Sequence, residues 1–242
     1  MYTEEKRKYM EKHGFATFNP KAVLFDMDGV LYDSMPNHAH SWHEAMTQNG
    51  IDMKPEDAYR YEGMRGVETI RLLTRQQWGR EISLEEAQSL YEKKSQAFSS
   101  CPEAKVMEGV VSLQKQIKAD GLKIVVVTGS GQRSLLDKLV TDFQGLVQPE
   151  LIVSSFDVTR GKPHPEPYLK GLQKAGVSPW EAIVVENAPL GVRAAVAARI
   201  FTVAVNTGPL PDKMLMDENA SVVFPDMYEF GKKWKMISAP VF

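Results

Sequence analysis

Asp26 and Asp28, in Phe25-Asp26-Met27-Asp28-Gly29, are the residues of this chain whose types and spacing most directly suggest chemistry. They follow a short apolar run, Ala22 to Phe25, that reads as a buried strand. Carboxylates at the tip of such a strand need a partner, because unpaired buried charge costs several kcal/mol. A hard divalent cation bound through oxygen would supply one. Three more polar clusters each follow a predicted strand. Thr128-Gly129-Ser130 offers a hydroxyl and backbone N–H groups suited to phosphate oxygens. Lys162, between Gly161 and Pro163, offers one ammonium whose direction is fixed by rigid neighbours. Glu186-Asn187 adds a further carboxylate. In a parallel sheet the carboxyl ends of the strands share one edge, so these clusters can converge. An Asp-Gly turn, a common loop composition or a solvated lysine would each explain one cluster, but not all four in this relation.

Alternating strands and helices must position them. After the first strand, Lys123 to Val127, Leu151 to Ser154, Ala182 to Val185 and Phe201 to Val205 read as strands. Helices are predicted over Gly109 to Asp120, Ser134 to Phe143, Tyr168 to Ala175 and Leu190 to Ala198. Near-continuous apolar strands separated by helices mean a parallel sheet covered on both faces. Residues 35–100 break the alternation. Asn37 to Asn49, Pro55 to Tyr61, Val67 to Trp78 and Ser83 to Phe98 read as consecutive helices, the last opened by a Ser83/Glu86 capping box. The fold class is therefore α/β: a Rossmann-like doubly wound parallel sheet with an inserted all-helical cap domain. The core spans 20–34 and 101–242, the cap 35–100. Residues 1–19 are expected to be an N-terminal extension, with helical turns over Glu4 to Lys12 that Pro20 stops.

Bulk properties exclude several classes. With 43% hydrophobic and 25% charged residues in 242, the composition is that of an ordinary globular chain. A net charge of −2 argues against a general nucleic-acid binder. The single cysteine, Cys101, rules out an internal disulfide and fits a reducing compartment. No apolar run approaches the ~20 residues that span a bilayer, and the first residues form no apolar h-region, so no signal peptide is expected. The expectation is a cytoplasmic monomer that binds neither nucleic acid nor membrane.

Taken together, the four clusters resemble the haloacid dehalogenase superfamily, in its β-phosphoglucomutase-like branch of phosphohydrolases with a helical cap. Phe-Asp-Met-Asp-Gly-Val-Leu is similar to the first family motif, Val-Val-Thr-Gly-Ser to the second, Gly-Lys-Pro-His-Pro-Glu-Pro-Tyr to the third and Val-Val-Glu-Asn-Ala-Pro-Leu-Gly to the fourth. The resemblance covers about residues 21–225 and is closest to bacterial members that hydrolyse inorganic pyrophosphate. It implies Mg2+ as cofactor and a small phosphorylated substrate or pyrophosphate. It makes Asp26 the nucleophile that forms an aspartyl phosphate, and Asp28 the general acid and base whose backbone carbonyl also ligates the metal. It makes Thr128, with the N–H groups of Gly129 and Ser130, the phosphoryl site, and Lys162 the partner of phosphate and nucleophile. Glu186 and Asn187 become the second metal arm. The family usually has Asp at the position of Asn187, so this site is one charge less negative.

The cap bears on the substrate. Sugar-phosphate mutases carry a Lys before the cap-loop Gly and an Arg beyond it, both holding the distal phosphate. Here Glu62 precedes Gly63, Gly66 takes the other position, and Arg65 is shifted by one; Glu62, Arg65 and His38 are the cap residues expected at the substrate. A carboxylate where a phosphate should dock repels it by ~1 kcal/mol at ~4 Å in water, and by more when desolvated. Glu62 is instead expected near the metal, which favours pyrophosphate. Of His38, His40 and His43, only His38 matches a family position, where it helps hold Asp28. A zinc cluster is not expected. Ser34 and Met35 mark the hinge, and Trp42 is expected in cap packing. The alternatives are a sugar-phosphate phosphatase or β-phosphoglucomutase-like enzyme and, in another class, a catalytically silent phosphate-binding or protein-interaction module.

Overall fold

Strand β1 (Ala22–Phe25) is buried at every residue and lies inside the sheet. A computed structural model describes residues 2–242, and Met1 lies outside the described residues. Helix α1 (Thr3–His13) precedes β1. Four helices follow it: α2 (Met35–Thr47), α3 (Pro55–Arg60), α4 (Gly66–Trp78) and α5 (Leu84–Ser99). The chain then alternates through α6 (Val110–Ala119), β2 (Lys123–Val127), α7 (Arg133–Asp142), β3 (Ile152–Val153), α8 (Glu166–Ala175), β4 (Ala182–Glu186), α9 (Pro189–Ala197) and β5 (Phe201–Val205). It closes with α10 (Asp212–Asp217), β6 (Val222–Phe224) and α11 (Met227–Ser238).

Among the described residues the sheet has six strands in the order β3-β2-β1-β4-β5-β6, and every pairing is parallel. β1 pairs with β2 on one side and β4 on the other, so the strand order reverses there. That reversal is where a doubly wound sheet opens a crevice at its carboxyl edge. Phe25 is level with Val126 and Val185, which brings the residues after β1, β2 and β4 side by side.

Alternation of side chains divides the core between the two faces. Val23, Phe25, Val126, Val185 and Val203 pack with Phe18, Phe230 and Trp234 on one face. Leu24, Val125, Val127 and Val184 pack with Tyr168, Leu172 and Ala195 on the other. Helices α2 to α5 bury a separate cluster that includes Met46, Met53, Ile70, Leu73 and Ala87. The Ser83 capping box forms as the sequence predicts, with Glu86 N–H donating to Ser83 Oγ and Ser83 N–H to Glu86 Oε2.

The N-terminal segment departs from the expectation of an extension. Tyr9 is 5% exposed and Phe18 fully buried, and both belong to the core under the sheet. The Tyr9 hydroxyl donates to the carbonyls of Pro179 and Arg199, at 3.1 and 2.9 Å. Buried Lys6 donates to the carbonyls of Met236 and Ala239, tying α1 to the C-terminal segment. The apolar positions of α1 are sparse among charges, so the segment reads as solvated until its docking face is seen.

One buried group is out of keeping with this core. Gln114 on α6 is fully buried, and neither side-chain atom has a partner among the described residues. A buried amide without hydrogen bonds costs about 1–3 kcal/mol. Gln114→Met keeps the side chain's length and removes the polar atoms. It is expected to raise stability by about 1 kcal/mol, read as a higher urea midpoint at unchanged slope. An unchanged or lower midpoint would mean that the amide is satisfied.

Candidate active site

Asp26 leaves β1 with its N–H donating to the Val185 carbonyl, which fixes its backbone at the crevice. Lys162, 1% exposed, extends its ammonium to Asp26 Oδ1 at 2.5 Å, Glu186 Oε1 at 2.6 Å and the Val127 carbonyl at 3.2 Å. Two buried carboxylates thus share one buried ammonium. Burial pushes the Asp26 carboxyl up to about 7; Lys162 opposes this, while Glu186 and Asp28 add to it. The same two carboxylates, Asp26 and Glu186, overcome burial at Lys162 and hold its proton tightly. The group has an excess of negative charge that one further cation would balance.

Glu186 is more fully engaged than its sequence role implies. Oε1 also accepts the Tyr168 hydroxyl at 2.7 Å, and Oε2 accepts the N–H groups of Asn187 and Ala188 where α9 begins. Both oxygens are spent on Lys162, Tyr168 and the helix start. In this structure Glu186 anchors Lys162 and is not an open metal ligand, which corrects that expectation. Tyr168, given no role from sequence, is part of the anchor.

Asp28 faces the cap. Its Oδ1 accepts the Ser34 hydroxyl at 2.6 Å and lies 3.2 Å from His38 Nε2. His38 Nδ1 lies 2.8 Å from Lys94 Nζ. A charged lysine only donates, so Nδ1 accepts and Nε2–H donates to Asp28. This order fixes the neutral tautomer of His38. Burial pushes Asp28 up, but His38, Ser34 and Lys94 outweigh it and bring the carboxyl down to about 2. Lys94 was missed from sequence. It lies in a charged stretch of α5, and nothing there marks it as buried.

Burial lowers Lys94 to about 8, against the pull of Asp28 and Cys101. Above about pH 8 the folded protein gives up a proton that the unfolded chain keeps to about pH 10.4. Stability therefore rises with pH across that window. The urea midpoint of the wild type, relative to that of Lys94→Met, is expected to climb there. A difference that stays level would show that Lys94 titrates as it does in the unfolded chain.

The cap loop closes over the crevice. Gly63 lies so close to Lys162 that a Cβ would sit 2.7 Å from its Cδ, and its φ of +81° also favours glycine. Beside it, Glu62 Oε2 accepts Asn187 Nδ2 at 3.1 Å. Burial, and then the charges of Asp26, Glu186 and Asp28, raise the Glu62 carboxyl well above its ordinary range. Glu62 Oε1 and Asn187 Oδ1 are both buried, without a hydrogen-bond partner among the described residues. Two orphaned acceptors next to excess negative charge are what a hard cation would satisfy. No three His, Cys, Asp or Glu side chains gather into a complete cage among the described residues. Mg2+ fits nonetheless, because it binds through one or two carboxylates and takes its other ligands from water and phosphate oxygens.

Other predicted residues fall differently. Thr128 is buried, and its Oγ1 accepts the Ser130 N–H at 3.0 Å, so that N–H is spent within its own loop. Gly129 and Ser130 line the crevice cavity. Arg65 does not: its guanidinium donates to the Thr159 carbonyl outside the cavity, which corrects its assignment to substrate binding. The three histidines do not converge, because His43 Nδ1 faces the Met53 carbonyl and exposed His40 lies beside Glu44. Trp42 packs near Tyr91, with Lys94 5.4 Å from its ring centroid, and also forms a cavity wall. The cavity measures about 70 Å³ and is bounded by Asp26, Asp28, His38, Glu62 and Lys94.

A doubly wound parallel sheet with this acid pair, its buried lysine and a helical cap defines a capped hydrolase on a Rossmann-like core. Residues 23–205 match the family model for haloacid dehalogenase-like hydrolases, and the chain belongs to that family. Hexitol phosphatase A of Escherichia coli is 30% identical over 189 residues, covering 77% of this chain and 83% of that protein. A protein of Caldanaerobacter subterraneus named "Putative pyrophosphatase PpaX" is 27% identical over 212 residues, covering 87% and 93%. Among solved structures, "Putative beta-phosphoglucomutase from Bacteroides vulgatus" superposes with a TM-score of 0.94 at 48% identity, covering 98% of this chain and 96% of the other. The protein is thus an enzyme of the haloacid dehalogenase phosphohydrolase family. No helix among the described residues is long and apolar enough to cross a membrane.

Proposed function

We propose that this enzyme hydrolyses inorganic pyrophosphate with Mg2+ through an aspartyl phosphate on Asp26. The observation that carries this reading is the contact of Glu62 with Asn187, which sets a cap carboxylate with one unpartnered buried oxygen beside the acids of the crevice. A carboxylate in that place repels the second phosphate of a phosphosugar, and it suits a small substrate whose charge comes with bound Mg2+.

Asp26 is placed to attack phosphorus, forming the Asp26 O–P bond as the bond to the leaving oxygen breaks. Bound Mg2+ would draw on Asp26, the Asp28 backbone carbonyl and Asn187 Oδ1, and would neutralise the phosphoryl oxygens and polarise phosphorus for attack. Lys162 holds the Asp26 carboxylate in line and adds positive charge beside the transferring group. Asp28 is held ionised by Ser34 and His38, which suits it to take a proton from the water that then cleaves the aspartyl phosphate.

Aromatic walls at Trp42, Tyr61 and Tyr91 favour a second reading, a sugar-phosphate phosphatase like the hexitol enzyme. A steady-state screen with Mg2+ across pyrophosphate, hexose and hexitol phosphates tests both. Pyrophosphate is expected to give the highest kcat/KM. Faster turnover of a hexitol or hexose phosphate would replace the first reading with the second.

A further inference from the structure

We infer that Arg65 is a latch that holds the cap shut from outside the cavity, and that it acts on turnover by setting the closed population. Away from the hinge, where Asn37 Nδ2 donates to the Pro102 carbonyl, three side-chain hydrogen bonds join the cap to the core among the described residues. His38 to Asp28 and Glu62 to Asn187 lie within the crevice. The third is Arg65 Nη1 donating to the Thr159 carbonyl at 3.0 Å. Arg65 stands immediately before α4, and its backbone carbonyl accepts the N–H groups of Glu68 and Thr69, so the latch is fixed to the cap's own helix.

The receiving carbonyl is also fixed. Glu166, the first residue of α8, accepts the Thr159 N–H at 2.8 Å and the Arg160 N–H at 3.0 Å, and its carboxylate also takes the Thr159 hydroxyl. The loop that leads to Lys162 is therefore rigid where Arg65 grips it. The aliphatic stem adds shape to the charge: it lies so close to Gly161 that a Cβ there would meet Arg65 Cγ at 2.7 Å. Gly63, two residues before Arg65, presses on Lys162 from the same loop. A cap that lifts must break the Arg65 bond, the stem contact and the Glu62 bond together. A carbonyl acceptor outside the cavity makes Arg65 a positioning residue that touches neither substrate nor reacting atoms.

A ligand reaching a site that is closed only part of the time binds more weakly in proportion to the closed fraction. Arg65→Met keeps the stem and removes the donor. It is expected to raise KM by roughly tenfold, the worth of one charge-assisted hydrogen bond, with kcat changed less than about twofold. Arg65→Lys, which can still donate to a carbonyl, should recover most of the loss. Turnover is read on pyrophosphate or on p-nitrophenyl phosphate, whichever the wild type hydrolyses, so this arm rests on the phosphohydrolase reading alone. Small-angle scattering of the substrate-free protein needs no substrate and should show a larger radius of gyration for Arg65→Met than for wild type. Failure of pyrophosphate as substrate leaves that comparison intact. Wild-type KM together with wild-type scattering in Arg65→Met would overturn the latch. So would a fall in kcat with KM and scattering unchanged, because it would place the effect on Lys162 chemistry and not on closure.

Discussion

Asp26→Asn is expected to lower turnover by at least about 10⁴-fold while the protein stays folded. The substitution preserves shape, and its carbonyl oxygen can still accept from Lys162, which also keeps Glu186 and the Val127 carbonyl. What is lost is the nucleophile, since a neutral amide oxygen does not displace a phosphoryl leaving group. Stability should move the other way. The folded carboxyl is raised to about 7 from an ordinary value of 3.8, mainly by burial, so ionising it costs the folded state. A carboxyl with a raised folded pKa loses stability as pH climbs from the unfolded value through the folded one. Asp26→Asn removes that loss and should melt no lower than wild type in metal-free buffer above neutrality. An active site that gains stability on losing its function is the expected signature of charge gathered there for chemistry. Retention of more than about a hundredth of the turnover would remove Asp26 from the nucleophile role, and a steep fall in melting temperature would make it a structural carboxylate.

The core sheet was legible because its strands are nearly pure apolar runs, and four of the five read from sequence are followed by a polar cluster that packing does not explain. Lys123–Val127 and Phe201–Val205 fall where the sequence placed them. Strand β6 and helices α10 and α11 went unread. In α11, Met227, Phe230, Trp234 and Ile237 are buried at spacings of three and four, a helical stripe that was available to inspection. The convergence of Asp26, Lys162 and Glu186 follows from the parallel topology, so the sequence pattern could foresee it. The division of labour within that group could not be foreseen. Whether Glu186 holds a metal or anchors Lys162 depends on where its two oxygens point, and only coordinates fix that. Lys94 and Arg65 show the same limit in the cap. Each is one charged residue among many, Lys94 on α5 and Arg65 just before α4, in stretches with ordinary amphipathic patterns. One is buried against His38 and the other reaches the core, through contacts distant in sequence.

Glu62→Ala is expected to cut kcat/KM for pyrophosphate on the order of 10²-fold while changing that for p-nitrophenyl phosphate by no more than about threefold. Glu62 reaches the crevice only when the cap is shut, because it comes from the cap loop and meets Asn187 at the end of β4. Its second oxygen is buried without a partner, which is affordable only if something bound in the crevice takes it up. A small substrate that lets the loop descend fully would benefit from that contact. A bulky phosphomonoester holds the loop away and is turned over without it, so it has little to lose. Alanine also opens space beside Asn187, and larger phosphomonoesters should gain relative to pyrophosphate. The prediction is thus a change in the ratio of two specificity constants, which a general loss of folded enzyme cannot produce because it lowers both alike. Equal losses on the two substrates would show that Glu62 supports closure without selecting what is closed upon. Specificity would then have to be sought in the aromatic walls at Trp42 and Tyr61.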